Sequence, residues 1–256
     1  MNSSLKFSII TVSLNNQSTI RRTINSVLNQ KYVDVEYIVI DGLSTDDTMK
    51  IVESYKENIS YYVSQEDTGI YDAINKGISA ASGDIIGILN ADDIYADNTV
   101  LFNVQNHFIS ESTEAVYGDL VYFDPINNDK VVRYWKSGLF SMHRMRKGWM
   151  MPHPTLFVRK KVYEDFGYYS TDFQISSDYE MMIRLFYKNG VSVSYLAYVL
   201  VHMQVGGVSN RSFLNRLRSN SEDLVAWEKN GISPPFLLRF MKPLRKIDQF
   251  FNKYYM

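Results

Sequence analysis

The sequence predicts an α/β protein built on a mostly parallel sheet, and three observations carry that prediction. Short β-branched runs alternate with amphipathic stretches through the first half of the chain. Those runs are continuously apolar, as parallel strands covered on both faces must be. The composition is globular, with 45% apolar and 21% charged residues over 256 positions, ample for one full core.

Residues 7–14 form the first apolar run. An amphipathic stretch follows, with Ile20, Ile24, Val27 and Leu28 on one face. Tyr37-Ile38-Val39-Ile40-Asp41 is a second strand ending on a carboxylate. The next helix should run to about residue 56, opened by a capping box in which Asp47 stands three residues after Ser44. Residues 59–64 read as a strand and 70–81 as a helix stopped by Ser82-Gly83. Residues 84–90 are a fourth strand. Strands alternating with helices imply right-handed crossovers and a parallel sheet.

The second half changes character. Residues 115–123 and 130–135 read as two strands around a turn-rich connection. Residues 136–154 are irregular and hold His143, Arg144, Arg146, Lys147, Trp149 and His153. A short strand at 155–159, a helix at 178–188, a strand at 191–201 and a helix at 210–230 complete the pattern. The chain divides into residues 1–233 and a tail at 234–256; within the first part, 5–115 and 116–210 form two halves.

Composition excludes several classes. The net charge is −1, so no whole-chain electrostatic case exists for nucleic acid. There is no cysteine, which removes disulfides, thiolate metal sites and cysteine nucleophiles. No apolar run reaches the roughly 18 residues of a membrane span, and the N-terminus is a poor signal peptide. These features lead us to expect a cytoplasmic protein; nothing in them fixes an oligomeric state.

In parallel α/β sheets, ligands sit beyond the carboxyl ends of the strands. Three such ends carry polar groups: residues 11–15, Asp41-Gly42, and Asn90-Ala91-Asp92-Asp93. Adjacent carboxylates after an apolar strand suit a hard divalent cation, or one of them simply caps the next helix. The 42–47 run supplies a helix cap without Asp41, leaving that carboxylate freer for a nucleobase N–H or a ribose hydroxyl. There is no G-x-G-x-x-G and no P-loop pattern.

Four segments together, VSLNN, EYIVIDGLSTDDT, EDTGIYDAINKGISAASGDIIGILNADD and SSDYEMMIRL, resemble the family 2 glycosyltransferases, in order and spacing, over about residues 5–210. The resemblance implies a GT-A fold: a Rossmann-like nucleotide-binding sheet flanked by helices, with a smaller acceptor-binding region. It implies inverting transfer of a sugar from a nucleotide-sugar, with UDP as the default nucleotide and Mn2+ or Mg2+ as cofactor. The kinship is to bacterial surface-polysaccharide enzymes, so the acceptor would be a glycan or a lipid-linked sugar. Asp41 matches the acid that contacts the nucleobase, beside the strand end with Val12, Leu14 and Asn15. Asn90 through Asp93 match a D-x-D-D motif, in which Asp92 would face ribose or diphosphate and Asp93 would ligate the metal. Asp178 matches the catalytic base, and Gly206-Gly207-Val208-Ser209 a loop that closes over the donor. Two positions depart: Asn90 replaces an acid, and Ile74 replaces an arginine before Asn75-Lys76-Gly77. Lys76 then becomes a substitute diphosphate contact, or else pairs with Asp72 one helical turn away.

Other residues are read from their own chemistry. Arg211 suits a diphosphate, since guanidinium matches phosphate geometry. His153, between two prolines, is a substrate contact or a structural histidine. His202 is a weaker candidate for the metal or diphosphate. Trp149 and its basic neighbours face a phospholipid-linked acceptor or are a solvated loop. Residues 235–256 hold five basic side chains and one acid, a charge of +4, interleaved with aromatics at helical spacing. Such a segment lies on the inner face of an anionic membrane or packs on protein. Two other classes share some of these features. A sugar-nucleotide nucleotidyltransferase needs a Gly-rich basic loop at the N-terminus, which is lacking. A non-catalytic nucleotide- or cation-binding module needs neither Asp178 nor the second half.

Overall fold

The computed structural model describes residues 5–124, 131–205, 213–236 and 238. The chain folds as β1 (Lys6–Ser13), α1 (Ile20–Leu28), β2 (Asp34–Asp41), α2 (Thr48–Glu53), β3 (Tyr61–Ser64), α3 (Ile70–Ala80) and β4 (Ile85–Ile88). Next come β5 (Ile94–Tyr95), α4 (Val100–Glu111), β6 (Ala115–Phe123), β7 (Val131–Trp135) and α5 (Met142–Arg146). A 3-10 turn (His153–Thr155) leads to β8 (Phe157–Arg159), α6 (Lys160–Phe166) and α7 (Ser177–Met182), which continues as a π-helical turn (Ile183–Lys188). β9 (Val193–Gln204) and α8 (Phe213–Lys229) complete the described elements.

One sheet runs in the order β3-β2-β1-β4-β8-β6-β9-β5, with β7 added on β6. The β3-β2-β1-β4 part is parallel, as the alternating pattern predicts. β8 pairs antiparallel with both β4 and β6, and β9 runs parallel to β6. The sheet is therefore purely parallel only in its first half.

The two-residue period of a strand sorts its side chains into two cores. Phe7 and Ile9 of β1, Tyr37 and Val39 of β2 and Ile85 of β4 pack with α1 and α4. Ile10 and Val12, Ile38 and Ile40, and Ile86 and Ile88 pack on the other face with α3 and α7. The amphipathic reading of α1 holds: Ile20, Ile24 and Val27 are buried. Gly77 lets α3 lie close on β1, because a Cβ there would collide with Cγ2 of Ile10.

Several expectations are corrected. The capping box does not form: α2 opens at Thr48 with no side-chain cap and ends at Glu53. Helices α4, α5 and α6 fall where the sequence gave no helical reading. The expected hairpin is real, with Leu120 opposite Trp135 and Val121 opposite Tyr134. Among the described residues no helix is long and apolar enough to cross a membrane. The tail lies mostly outside the described residues. Of its members, Phe236 is exposed, whereas Leu238 is buried in the core beside the α8 residues Ala226 and Trp227.

Candidate active site

The carboxyl ends of β1, β2, β3 and β4 form one edge of the sheet, and every candidate acid of the first half stands on it. β8 runs antiparallel to β4, with Gly87 opposite Phe157. The His153–Thr155 turn that precedes β8 therefore lies at that same edge. The N-terminus of α3 joins it from β3, bringing Tyr71.

At the end of β4 the chain turns so that the N–H of Asp93 donates to the Asn90 carbonyl at 3.0 Å. Thr23 of α1 fixes the turn by donating its hydroxyl to the Asp93 carbonyl at 2.8 Å. The Asp93 side chain is fully buried. One carboxylate oxygen accepts from Nδ2 of Asn90 at 3.1 Å. The other, Oδ1, is buried with no hydrogen-bond partner. Burial pushes this carboxyl well above its ordinary range, and the charge of adjacent Asp92 adds to the effect. The Gln204 N–H at the end of β9 faces Asp93 and opposes it.

A buried carboxylate oxygen without a partner is costly, and a hard divalent cation would relieve it. The donor set therefore fits Mn2+ or Mg2+. Among the described residues no group of three or more His, Cys, Asp or Glu side chains gathers to hold a metal, so such an ion would also need substrate oxygens or water. His202 sits on the β9 strand opposite Ile94; its ring feels Asp97 as its charged neighbour, and burial holds it below its ordinary value.

The end of β2 is built differently. Asp41 is also fully buried, yet its carboxylate accepts from the Ser13, Ser44 and Ser64 hydroxyls at 3.0, 2.5 and 2.7 Å and from the Ser44 N–H at 2.9 Å. The expectation that Asp41 stands free for a ligand is corrected: Ser44 turns to Asp41 instead of capping α2. Beside it, Val12 is core, while Leu14 and Asn15 are exposed. Asn15 takes a left-handed backbone at φ 55°, which asparagine tolerates. Its N–H donates to Ser44 Oγ and its side-chain carbonyl accepts from the Thr45 N–H.

Lys76 takes the plainer of its two readings. Its ammonium pairs with Asp72 at 3.1 Å and donates to the Glu66 carbonyl at 2.6 Å, tying the 66–72 turn to α3. Its neighbour Asn75 clamps the backbone of Tyr169 from both sides, accepting its N–H at 2.9 Å and donating to its carbonyl at 2.8 Å. Trp149 is also corrected. It is 6% exposed, packs edge-on against Tyr117, and donates its ring N–H to the Ser137 carbonyl at 3.2 Å. Arg144 lies over its ring and bonds the Ser137 and Leu139 carbonyls, and Arg146 lies over Trp227. Trp149 is thus core rather than an acceptor platform.

Asp178 is the second residue of α7, partly exposed, with Oδ1 accepting the Tyr179 N–H at 2.8 Å. His153 is half-buried, and its Nε2 is 2.7 Å from the Tyr169 hydroxyl. Burial holds the His153 ring below its ordinary value, and the negative charge of Asp178 pulls against that. The same charge reaches Tyr71 and Tyr169. Asp178, His153, Tyr169 and Tyr71 thus form one neighbourhood at the sheet edge. Glu180 does point elsewhere: it is buried against Arg184 and Asn230. Sequence reasoning missed Tyr71 and Tyr169 as members of this neighbourhood, although Tyr71 lies inside the EDTGIYDAINKG segment. Gly206, Gly207 and Arg211 lie outside the described residues.

A parallel nucleotide-binding type of sheet joined to a mixed second half, with acids on the shared edge, is the plan of the GT-A glycosyltransferases. Solved structures agree. S. aureus TarS, residues 1–349, superposes with a TM-score of 0.70 at 17% identity, covering 95% of this chain and 72% of that one. The same fragment has been seen with UDP and with UDP-GlcNAc. The mannosyltransferase PcManGT from Pyrobaculum calidifontis, in complex with GDP-Man and Mn2+, gives 0.67 at 17% identity over 95% of this chain and 72% of its own. At that identity the likeness speaks for the fold.

The chain belongs to glycosyl transferase family 2, whose model matches residues 8–167. A PGL/p-HBAD biosynthesis glycosyltransferase of Mycobacterium tuberculosis (strain H37Rv) is 30% identical over 219 residues, 82% of this chain and 83% of the relative. The protein is a glycosyltransferase.

Proposed function

We propose that the protein moves a sugar from a nucleoside-diphosphate-sugar, a UDP-sugar first among them, to a hydroxyl of a glycan or lipid-linked acceptor, with inversion at the anomeric carbon. The observation that carries this reading is the buried, half-partnered carboxylate of Asp93 on the same sheet edge as Asp178. Asp93, with Asn90 and Asp92 beside it, would hold Mn2+ or Mg2+. Such an ion supplies Lewis-acid stabilisation of the departing diphosphate.

In this reading Asp178 is the general base. The acceptor oxygen forms its bond to the anomeric carbon as the bond from that carbon to the phosphate oxygen breaks. The hydroxyl proton passes to the Asp178 carboxylate, and the electron pair leaves on the nucleoside diphosphate. One displacement opposite the leaving group inverts the carbon. Leu14 and Asn15, exposed at the end of β1, border the place for the nucleoside, and Arg211 is a diphosphate contact by its chemistry. The support for UDP is the family resemblance and the UDP complexes of TarS.

The acceptor side is proposed to lie at the inner face of the cytoplasmic membrane, in surface-polysaccharide synthesis. The support is the tail's charge of +4 and its aromatic content. The test is release of nucleoside diphosphate from UDP-glucose, UDP-GlcNAc, dTDP-glucose and GDP-mannose, with Mn2+ and with chelator, for the wild type and Asp178→Asn. Metal-dependent release from one donor, reduced about 10²–10⁴-fold by Asp178→Asn with UDP affinity retained, is the expected result. Full turnover in Asp178→Asn would remove the base assignment.

A further inference from the structure

The short helix that carries Asp178 does not hold itself in place. α7 has six residues, and its N-cap residue Ser176 makes no side-chain cap bond. Isolated helical turns of that length are unstable, and the first N–H groups of a helix need partners from elsewhere. Here two distant helices hold the helix and the residues that lead into it. From α3, the Tyr71 hydroxyl donates to the Ile175 carbonyl at 2.5 Å and faces the backbone N–H groups of Asp178 and Ser177. From α8, the Glu222 carboxylate accepts the N–H groups of Gln174, Ile175 and Ser176 at 3.2, 2.9 and 2.9 Å. Further along, the Trp227 ring N–H donates to the Tyr179 hydroxyl at 3.1 Å.

The Tyr71 ring is itself fixed. It is 8% exposed and stacks on Tyr169, with centroids 5.9 Å apart and planes 9° from parallel. Tyr169 is in turn clamped by Asn75, four residues after Tyr71 on the same helix. A side chain stacked on its face and bonded at its hydroxyl has little freedom to move. General-base catalysis needs that restraint, since a 1 Å misplacement can cost about 10²-fold.

From these contacts we infer that Tyr71 is a positioning residue for Asp178: its hydroxyl fixes the turn that aims the carboxylate, and Glu222 holds the residues that lead into that turn. The inference rests on the reading of Asp178 as the base. Tyr71 acts through Asp178 and not on the substrate, so the two residues should not contribute independently.

The experiment is a double-variant cycle on the full chain, with UDP-GlcNAc and UDP-glucose as donors. Release of UDP is followed at saturating Mn2+ for the wild type, Tyr71→Phe, Asp178→Asn and the double variant, with UDP affinity measured by calorimetry. Tyr71→Phe keeps the ring stack and removes only the hydroxyl. It should lower kcat about tenfold or more while KM for the donor and UDP affinity stay within about twofold. The double variant should turn over no slower than Asp178→Asn alone. Amide hydrogen exchange should rise in residues 174–179 of Tyr71→Phe and not in β1 or β2. A raised KM with intact kcat would make Tyr71 a donor contact and overturn the proposal. Losses that multiply in the double variant would do the same, as would wild-type kcat in Tyr71→Phe. Should Asp178→Asn alone keep full turnover, the base reading fails first, which is a separate outcome. Where Tyr71→Phe does not fold, Glu222→Gln takes its place in the same cycle, with the same expected kcat loss and the same non-additivity.

Discussion

The ends of β2 and β4 are the same device by sequence and opposite devices by structure. β2 finishes on Asp41 and the turn just after β4 carries Asp93, both at one edge of the sheet, and both aspartates are fully buried. Asp41 accepts three serine hydroxyls and a backbone N–H. Asp93 accepts from Asn90 and leaves Oδ1 buried without a hydrogen-bond partner. Native chains rarely leave a buried polar atom unsatisfied, and functional sites are among the places that do. The saturated acid is a joint between three strands' ends. The unsaturated acid is the one proposed to hold the metal.

Paired substitutions break the comparison most forcefully. Asp41→Ala strips the acceptor from four donors; the Ser13 hydroxyl is buried, and a buried donor left unpaired costs about 1–3 kcal/mol. We expect about 1–3 kcal/mol of lost stability in denaturant unfolding, whether or not Mn2+ is present. Asp93→Ala should instead fold normally and lose about 10²–10³-fold or more in kcat/KM, the usual loss when a charge-stabilising group is removed. Equal destabilisation by the two changes would mean that Asp93 is as structural as Asp41.

Much of this was open to a reader of the sequence, and the reason is locality. The strands of the parallel half and α3 announce themselves through periods of two and 3.6 within a few residues. Which side chain meets which ligand is settled by partners far along the chain. Asp41 was expected to stand free because its nearby run could cap a helix. Ser13 and Ser64, 28 and 23 positions away, decide otherwise. Trp149 looked like a platform beside basic residues until the Ser137 carbonyl and Tyr117 took both its polar and apolar faces. No local pattern around Tyr71 signals its role, because its carbonyl partner lies 104 residues downstream. The same holds for the second half, where β8 pairs with β4 across some 70 positions and no local pattern signals it.

A milder change sharpens the contrast between the two strand ends. Asp93→Asn keeps the shape of the side chain, still accepts from Asn90 and removes the buried charge. In metal-free buffer it should be more stable than the wild type by about 1–2 kcal/mol, since an uncompensated carboxylate no longer has to be desolvated. Added Mn2+ should raise the wild-type Tm and leave the variant's unchanged, because only a ligand that binds the native state stabilises it. A variant less stable than the wild type without metal, or equally stabilised by Mn2+, would show that the orphaned oxygen is not the metal's seat.

The smallest effect belongs to Lys76, which stands on α3 between the two strand ends and was read as a diphosphate contact. Its ammonium is held by Asp72 and the Glu66 carbonyl, and the pair is more than a quarter exposed. Pairs of this spacing contribute about 0.2–0.5 kcal/mol in a helix, and exposed pairs are weakened further by screening. Lys76→Met keeps the aliphatic stem and removes the charge. Stability should fall by no more than about 0.5 kcal/mol, and UDP affinity in the presence of Mn2+ should change by less than about twofold. The reasoning is electrostatic: a lysine that binds diphosphate neutralises charge on the ligand, so losing it costs affinity that rises steeply as salt is lowered. A helix-turn pair shows no such coupling to nucleotide. Calorimetric titration of UDP at low and high salt separates the two. A salt-dependent loss of UDP affinity in Lys76→Met would return Lys76 to the nucleotide site and mean that its bond to Asp72 is exchanged for the diphosphate on binding.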